Sequence, residues 1–160
     1  MKKMLITLVI CGGVFLSTSF FKTPLPPRKV KITYMDSFAK ERQKYIEYVL
    51  ASVKDRQDMR ADSVFENIQT FSEKQGIKVT HLLAIMDYWG EVLGVNCTYC
   101  HNTNNWASDD ISQKQIARDM YAMRSKINDE ILPKIKNLAS QPVLINCGTC
   151  HKGSPKPSRD

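Results

Sequence analysis

The 160-residue chain is long enough for one domain, and 42% hydrophobic residues with seven glycines and seven prolines exclude a fibrous or disordered protein. Its formal charge of +7 is partly N-terminal: without Lys2, Lys3 and Lys22, three of its 23 bases, 20 remain against 16 acids. An excess so small and scattered argues against nucleic acid as a partner.

Lys2 and Lys3 precede an apolar stretch over 4–21, the pattern of an export segment. Residues 1–22 therefore read as a signal peptide or a membrane anchor. Both fates stay open, because the stretch sits at the lower edge of bilayer-spanning length while Ser17 and Ser19 offer a small-x-small cleavage pattern. Cys11 follows Ile10, where a lipoprotein signal needs a small residue. Residues 23–35, proline-rich and basic, read as an extended tether. That leaves 36–160 as the folded domain.

A first helix, capped by Asp36 or Ser37, is expected to about residue 58, with Phe38, Tyr45, Ile46, Val49 and Val53 on one side. A shorter one is expected over 61–71, ending before Gly76. A third, over 79–93, has Leu82, Ile85, Met86, Trp89 and Leu93 on one face, and Gly94 breaks it. Residues 102–110 are polar and read as a loop, with Asp109 or Asp110 capping the next helix. Ile116, Met120, Met123, Ile127 and Ile131 then form the cleanest apolar stripe in the chain. Only 142–145 looks extended. The fold class is therefore mainly α.

Four of the five cysteines lie in two pentapeptides, Cys97-Thr98-Tyr99-Cys100-His101 and Cys147-Gly148-Thr149-Cys150-His151. Each follows an apolar residue and an asparagine, Val95-Asn96 and Ile145-Asn146. Two thiols at this spacing suit thioether bonds to the two vinyl groups of haem, with the adjacent histidine held beneath the iron. A zinc site would not require a histidine after each pair. A disulfide at this spacing closes a very small loop and staples little, and a thioredoxin-like motif needs a strand–helix setting that is missing here. The expected cofactors are two covalently bound c-type haems, one on Cys97 and Cys100 with His101, the other on Cys147 and Cys150 with His151. Covalent attachment takes place outside the cytoplasmic membrane, so the body of the chain is expected to be periplasmic.

The distal ligands follow partly by elimination. Of three histidines only His81 is uncommitted, which excludes two bis-histidine haems. Met86 lies on the apolar face of the helix before the first pentapeptide, where a distal ligand and a space-filling core methionine are equally compatible with the spacing. His81 is about 140° around the same helix from Met86, so both cannot face one iron; it reads as a surface or hydrogen-bonded histidine. For the second haem, Met120 and Met123 share the stripe and spacing does not choose between them.

These residues resemble the cytochrome subunit of photosynthetic reaction centres over roughly 64–155. The likeness rests on Met86 with Leu93-Gly94-Val95-Asn96 before the first pentapeptide, Ala117-Arg118-Asp119-Met120-Tyr121-Ala122-Met123, Ile127-Asn128, and Lys152-Gly153 after the second. In that family each unit is a helix bearing the methionine ligand, a turn, and a helix carrying the attachment motif. The resemblance implies Met86 as distal ligand of the first haem and Met120, rather than Met123, for the second. The family's complete subunit has four attachment motifs in a much longer chain, which makes this chain resemble half of it or a stand-alone dihaem relative, photosynthetic or respiratory.

The function expected is electron transfer, without catalysis, between periplasmic or membrane-bound redox proteins. His/Met ligation tends to raise the haem potential relative to bis-histidine. The alternative is a dihaem peroxidase or haem-based sensor, which needs one open distal site. A structural zinc protein ranks last.

Overall fold

The computed structural model describes residues 36–71, 76–138 and 143–157. The expected export segment and tether lie outside the described residues, as does Pro142. Among the described residues the fold is helical, with two isolated β-bridges and no strand, as the periodicities predicted. No helix among them is long and apolar enough to cross a membrane.

Helix α1 spans Ala39–Val53 and continues as a 3-10 turn over Lys54–Arg56. Its N-cap is Phe38, not Asp36 or Ser37. Asp36 still serves the helix start, because its Oδ1 accepts the Phe38 N–H at 3.2 Å and its carboxylate pairs with Arg42.

The helix expected over 61–71 is only one turn long, α2, Ala61–Val64. Tertiary pairing overrides propensity here. Ala61 N–H donates to Ile77 O at 2.8 Å and Val79 N–H to Met59 O at 3.1 Å, an antiparallel bridge that ties the segment to the next helix. Phe65 leaves α2 in an extended conformation and Asn67 takes φ 62°. This path brings Phe71 (7% exposed), with Phe65 and Ile68, into the core.

Helix α3 spans Val79–Leu93 and is the centre of the domain, packed by α1 and α2. Val79 and Leu82 are buried in one cluster with Val53, Ala61 and Phe71, and full burial of each aliphatic side chain contributes ~1.5–3 kcal/mol. Gly94 ends α3 in the left-handed region at φ 64°, the conformation only glycine adopts without cost.

Helix α4 spans Ser112–Lys126 and passes into a π turn, Ile127–Ile131, and a 3-10 turn, Leu132–Lys134. Its N-cap is Ile111, and neither Asp109 nor Asp110 caps it. Asp109 is held instead by Lys114 and Arg118, at 3.1 and 3.0 Å. The apolar stripe does not face the core either. Ile116 (56%), Met120 (36%), Met123 (46%) and Ile131 (47%) are exposed, while Tyr121 packs on Phe71 and Trp89. Helix α5, Cys147–Cys150, is a single turn packed against α3.

Candidate functional site

Both pentapeptides fold as the same local device. One helical turn brings each histidine next to its cysteines: His101 N–H donates to Cys97 O at 3.0 Å and His151 N–H to Cys147 O at 2.8 Å. The asparagine before each pair is the cap of that turn. Asn96 Oδ1 accepts from Thr98 N–H at 2.7 Å. Asn146 and Thr149 form a reciprocal capping box, at 3.1 and 3.0 Å. The repeated asparagine therefore has a structural reason, since each cap satisfies a backbone donor that a one-turn helix leaves free.

Each imidazole is oriented through Nδ1. His101 Nδ1 lies 3.4 Å from Trp106 O, and His151 Nδ1 lies 3.0 Å from Ser154 O. A backbone carbonyl can only accept, so Nδ1 carries the proton and Nε2 is left as a free lone-pair donor. None of the four cysteines is in a disulfide. Burial pushes the Cys97, Cys100 and Cys147 thiols up, Cys100 to about 11, and burial lowers the pKa of His101.

The first pentapeptide opens into a cavity of about 570 Å³, within the ~300–1,000 Å³ of ordinary cofactor sites. Its walls include Cys97, Cys100 and His101, Met86 and Trp89 from α3, Tyr45 and Val49 from α1, and Phe65 and Ile68 from the extended segment. Met86 is half-buried there, whereas His81 is exposed and does not line the cavity. Trp106 also lines it, and its Nε1 is buried without a hydrogen-bond partner. Such a donor is costly unless an acceptor is supplied. A largely apolar cavity lined by two cysteines, a histidine and a methionine fits a c-type haem.

In the second pentapeptide Cys150 is exposed while His151 is buried. The position of this pentapeptide is set from two sides. Gly153 N–H donates to Val92 O at 2.8 Å, and an added Cβ on Gly94 would stand 2.2 Å from Gly153 O. From the π turn after α4, Asn128 donates to Ile145 O and accepts from Ile145 N–H, both at 2.9 Å, and from α4 itself Arg124 Nε reaches the same carbonyl at 3.2 Å. The exposed methionines of α4 are on the same helix as Arg124.

Residues 29–159 match the family described as photosynthetic reaction centre cytochrome C subunit. The chain belongs to that family. Among similar proteins, cytochrome c-554 of Chloroflexus aurantiacus is 39% identical over 71 residues, 44% of this chain and 17% of that protein. The photosynthetic reaction center cytochrome c subunit of Rubrivivax gelatinosus is 30% identical over 109 residues, 68% of this chain and 28% of the relative. Its counterpart in Thermochromatium tepidum is 29% identical over 98 residues, 61% and 23% of the two chains. The matched part of this family member thus spans 17% to 28% of the length of these relatives.

Three residues central to the geometry were not singled out from sequence: Arg42, Lys114 and Asn128, all buried. Asn128 at least carried a signal, as part of the family likeness. Arg42 and Lys114 carried none, since a base on an amphipathic helix reads as solvated.

Proposed function

We propose that this protein is a periplasmic dihaem c-type cytochrome that passes electrons between redox partners, with residues 36–160 as the dihaem domain. Residues 1–22, as export segment or anchor, and the tether over 23–35 would deliver it to, or hold it at, the outer side of the cytoplasmic membrane. The observation that carries the reading is the first cavity, whose lining includes Cys97, Cys100 and His101 together with Met86.

Cys97 and Cys100 would hold the first haem by thioether bonds, and His101 and Met86 would ligate its iron. Cys147, Cys150 and His151 would play the same parts for the second, with Met120 as distal ligand. Bound haem supplies a one-electron ferric/ferrous couple. The protein's part is to fix the two axial donors, exclude water with the α1 and α3 walls, and keep the Nδ1–H side of each imidazole tied to a backbone carbonyl.

Helical geometry supports Met120 over Met123. Met120 lies one turn before Arg124, on the side of α4 that bonds the Ile145 carbonyl before Cys147. Met120 is about 40° and Met123 about 100° round the helix from Arg124. The exposed stripe is then the apolar surface the second haem would cover, which gives a physical reason for so regular a pattern outside the core.

Redox proteins are the partners proposed, in a photosynthetic or respiratory chain. Family membership and the named relatives support electron transfer; the short matched span leaves the reaction-centre complex itself as one partner among such proteins. The test is spectroscopic. The protein, expressed with a haem-attachment system, is expected to carry two covalent haems and a methionine-to-iron charge-transfer band that weakens in Met86→Ala and again in Met120→Ala. Ready binding of carbon monoxide by the reduced parent protein would point to an open iron and favour a dihaem peroxidase or sensor. Absence of covalent haem would overturn both readings.

A further inference from the structure

Lys114 is a buried cation beside the first cavity, 8% exposed and among its lining residues. It is not tethered to a carboxylate alone. Its ammonium donates to three successive backbone carbonyls, Trp106 O at 3.1 Å, Ala107 O at 2.9 Å and Ser108 O at 2.7 Å. Asp109 Oδ1 completes the set at 3.1 Å. The first of these carbonyls is the one that faces His101 Nδ1 at 3.4 Å.

We propose that Lys114 is a positioning residue that raises the reduction potential of the first haem relative to the second, by sharing the Trp106 carbonyl with His101. The inference rests on the haem reading above. Two effects have the same sign. A carbonyl already engaged by an ammonium is a poorer acceptor for Nδ1–H, so the imidazole gains less anionic character and stabilises ferric iron less. A buried cation also disfavours the oxidation state with the extra positive charge, and low dielectric magnifies the effect. Asp109 offsets only part of it, because Arg118 is bound to the same oxygen at 3.0 Å. The second site contrasts with the first. His151 Nδ1 is 3.0 Å from Ser154 O, and among the described residues that carbonyl receives no side-chain ammonium.

The test is a potentiometric titration of the holoprotein, following the haem absorbance. The first haem's transition is identified as the one retained in a Cys147→Ser/Cys150→Ser variant. Lys114→Met is expected to lower that transition and leave the other in place, while Lys114→Arg keeps it near the parent value. Asp109→Asn is expected to raise it. Loss of packing alone would move Lys114→Met and Asp109→Asn in the same direction, and that result overturns the proposal. So does an unchanged first transition in Lys114→Met with both haems attached. If Lys114→Met does not fold, the Asp109→Asn titration decides by its sign. Absence of covalent haem in the parent protein would remove the haem reading as well, which separates the two failures.

Discussion

Arg42 shows how a charged residue comes to be interior without being anomalous. It is 2% exposed on a helix whose other inward positions are apolar. Its guanidinium donates to Asp87 Oδ1 at 2.7 Å, to Asp36 Oδ1 at 2.9 Å and to Val95 O at 3.3 Å, so its charge is matched in place. Gly90 makes the room, since a Cβ there would stand 2.4 Å from Arg42 Cδ. The cluster joins α1, α3 and the residue two before Cys97. The Arg42 hydrogen bond holds the Asp36 carboxyl below its ordinary value. Because the folded-state pKa is the lower one, the stabilisation is present above the unfolded value of about 3.9 and is lost as pH falls through the folded value. Asp36→Asn should therefore lower the melting temperature at neutral pH, and the gap from the parent protein should close on acidification below about pH 4. Thermal melts across that range check this; a constant gap would show that the pair does not titrate as described.

At the scale of elements, α4 departs most from expectation. Its periodicity was legible, but periodicity reports only that one face is apolar, not what covers it. The face toward the core is marked by Tyr121, with Ala117 and Arg118 beside the cavity, and the stripe points away. The π turn that follows it serves the second pentapeptide through Asn128, which gives Ile145 the donor and acceptor that a neighbouring strand would have supplied. Asn128→Ala leaves that N–H unpaired and should cost about 1–3 kcal/mol. Faster hydrogen exchange over 145–147, with protection in α3 unchanged, is the expected signature. Equal exchange in both proteins would mean that Asn128 does not hold this segment. The failed helix over 61–71 has the complementary lesson. Its residues have no strong local preference, and the pairing of residues 59–61 with 77–79 decides their path.

At the largest scale, the described domain is organised on α3. One part of it offers Met86 to the first cavity, and its C-terminal end receives the second pentapeptide through Val92, Gly94 and Gly153. The two candidate haem sites therefore share one rigid element, which would keep their separation constant as electrons pass. Gly94 is where this arrangement is most constrained, combining a left-handed φ of 64° with backbone approach. Gly94→Ala should destabilise the protein by at least ~1–2 kcal/mol from backbone strain alone, and displacement of Gly153 adds to it. Chemical unfolding, with limited proteolysis over 153–157, is expected to show lower stability and a released tail. A variant as stable and as resistant as the parent would contradict the docking role assigned to Gly94.

The sequence by itself determined the mainly helical class, both Cys-x-x-Cys-His pentapeptides and the short set of candidate distal methionines, because these depend on local spacing and on which residue types are scarce. It could not rank Met86 against a packing methionine, nor Met120 against Met123 without the family likeness. Tertiary structure decided that Met86 and the first pentapeptide share one cavity and that the α4 stripe is left outside the core. It also decided that Arg42, Lys114 and Asn128 are buried. For the three polar residues the reason is that a buried polar or charged group is tolerable only with partners supplied by another segment, which have no signature in local pattern. For Met86 and the stripe, periodicity marks an apolar face without saying what covers it.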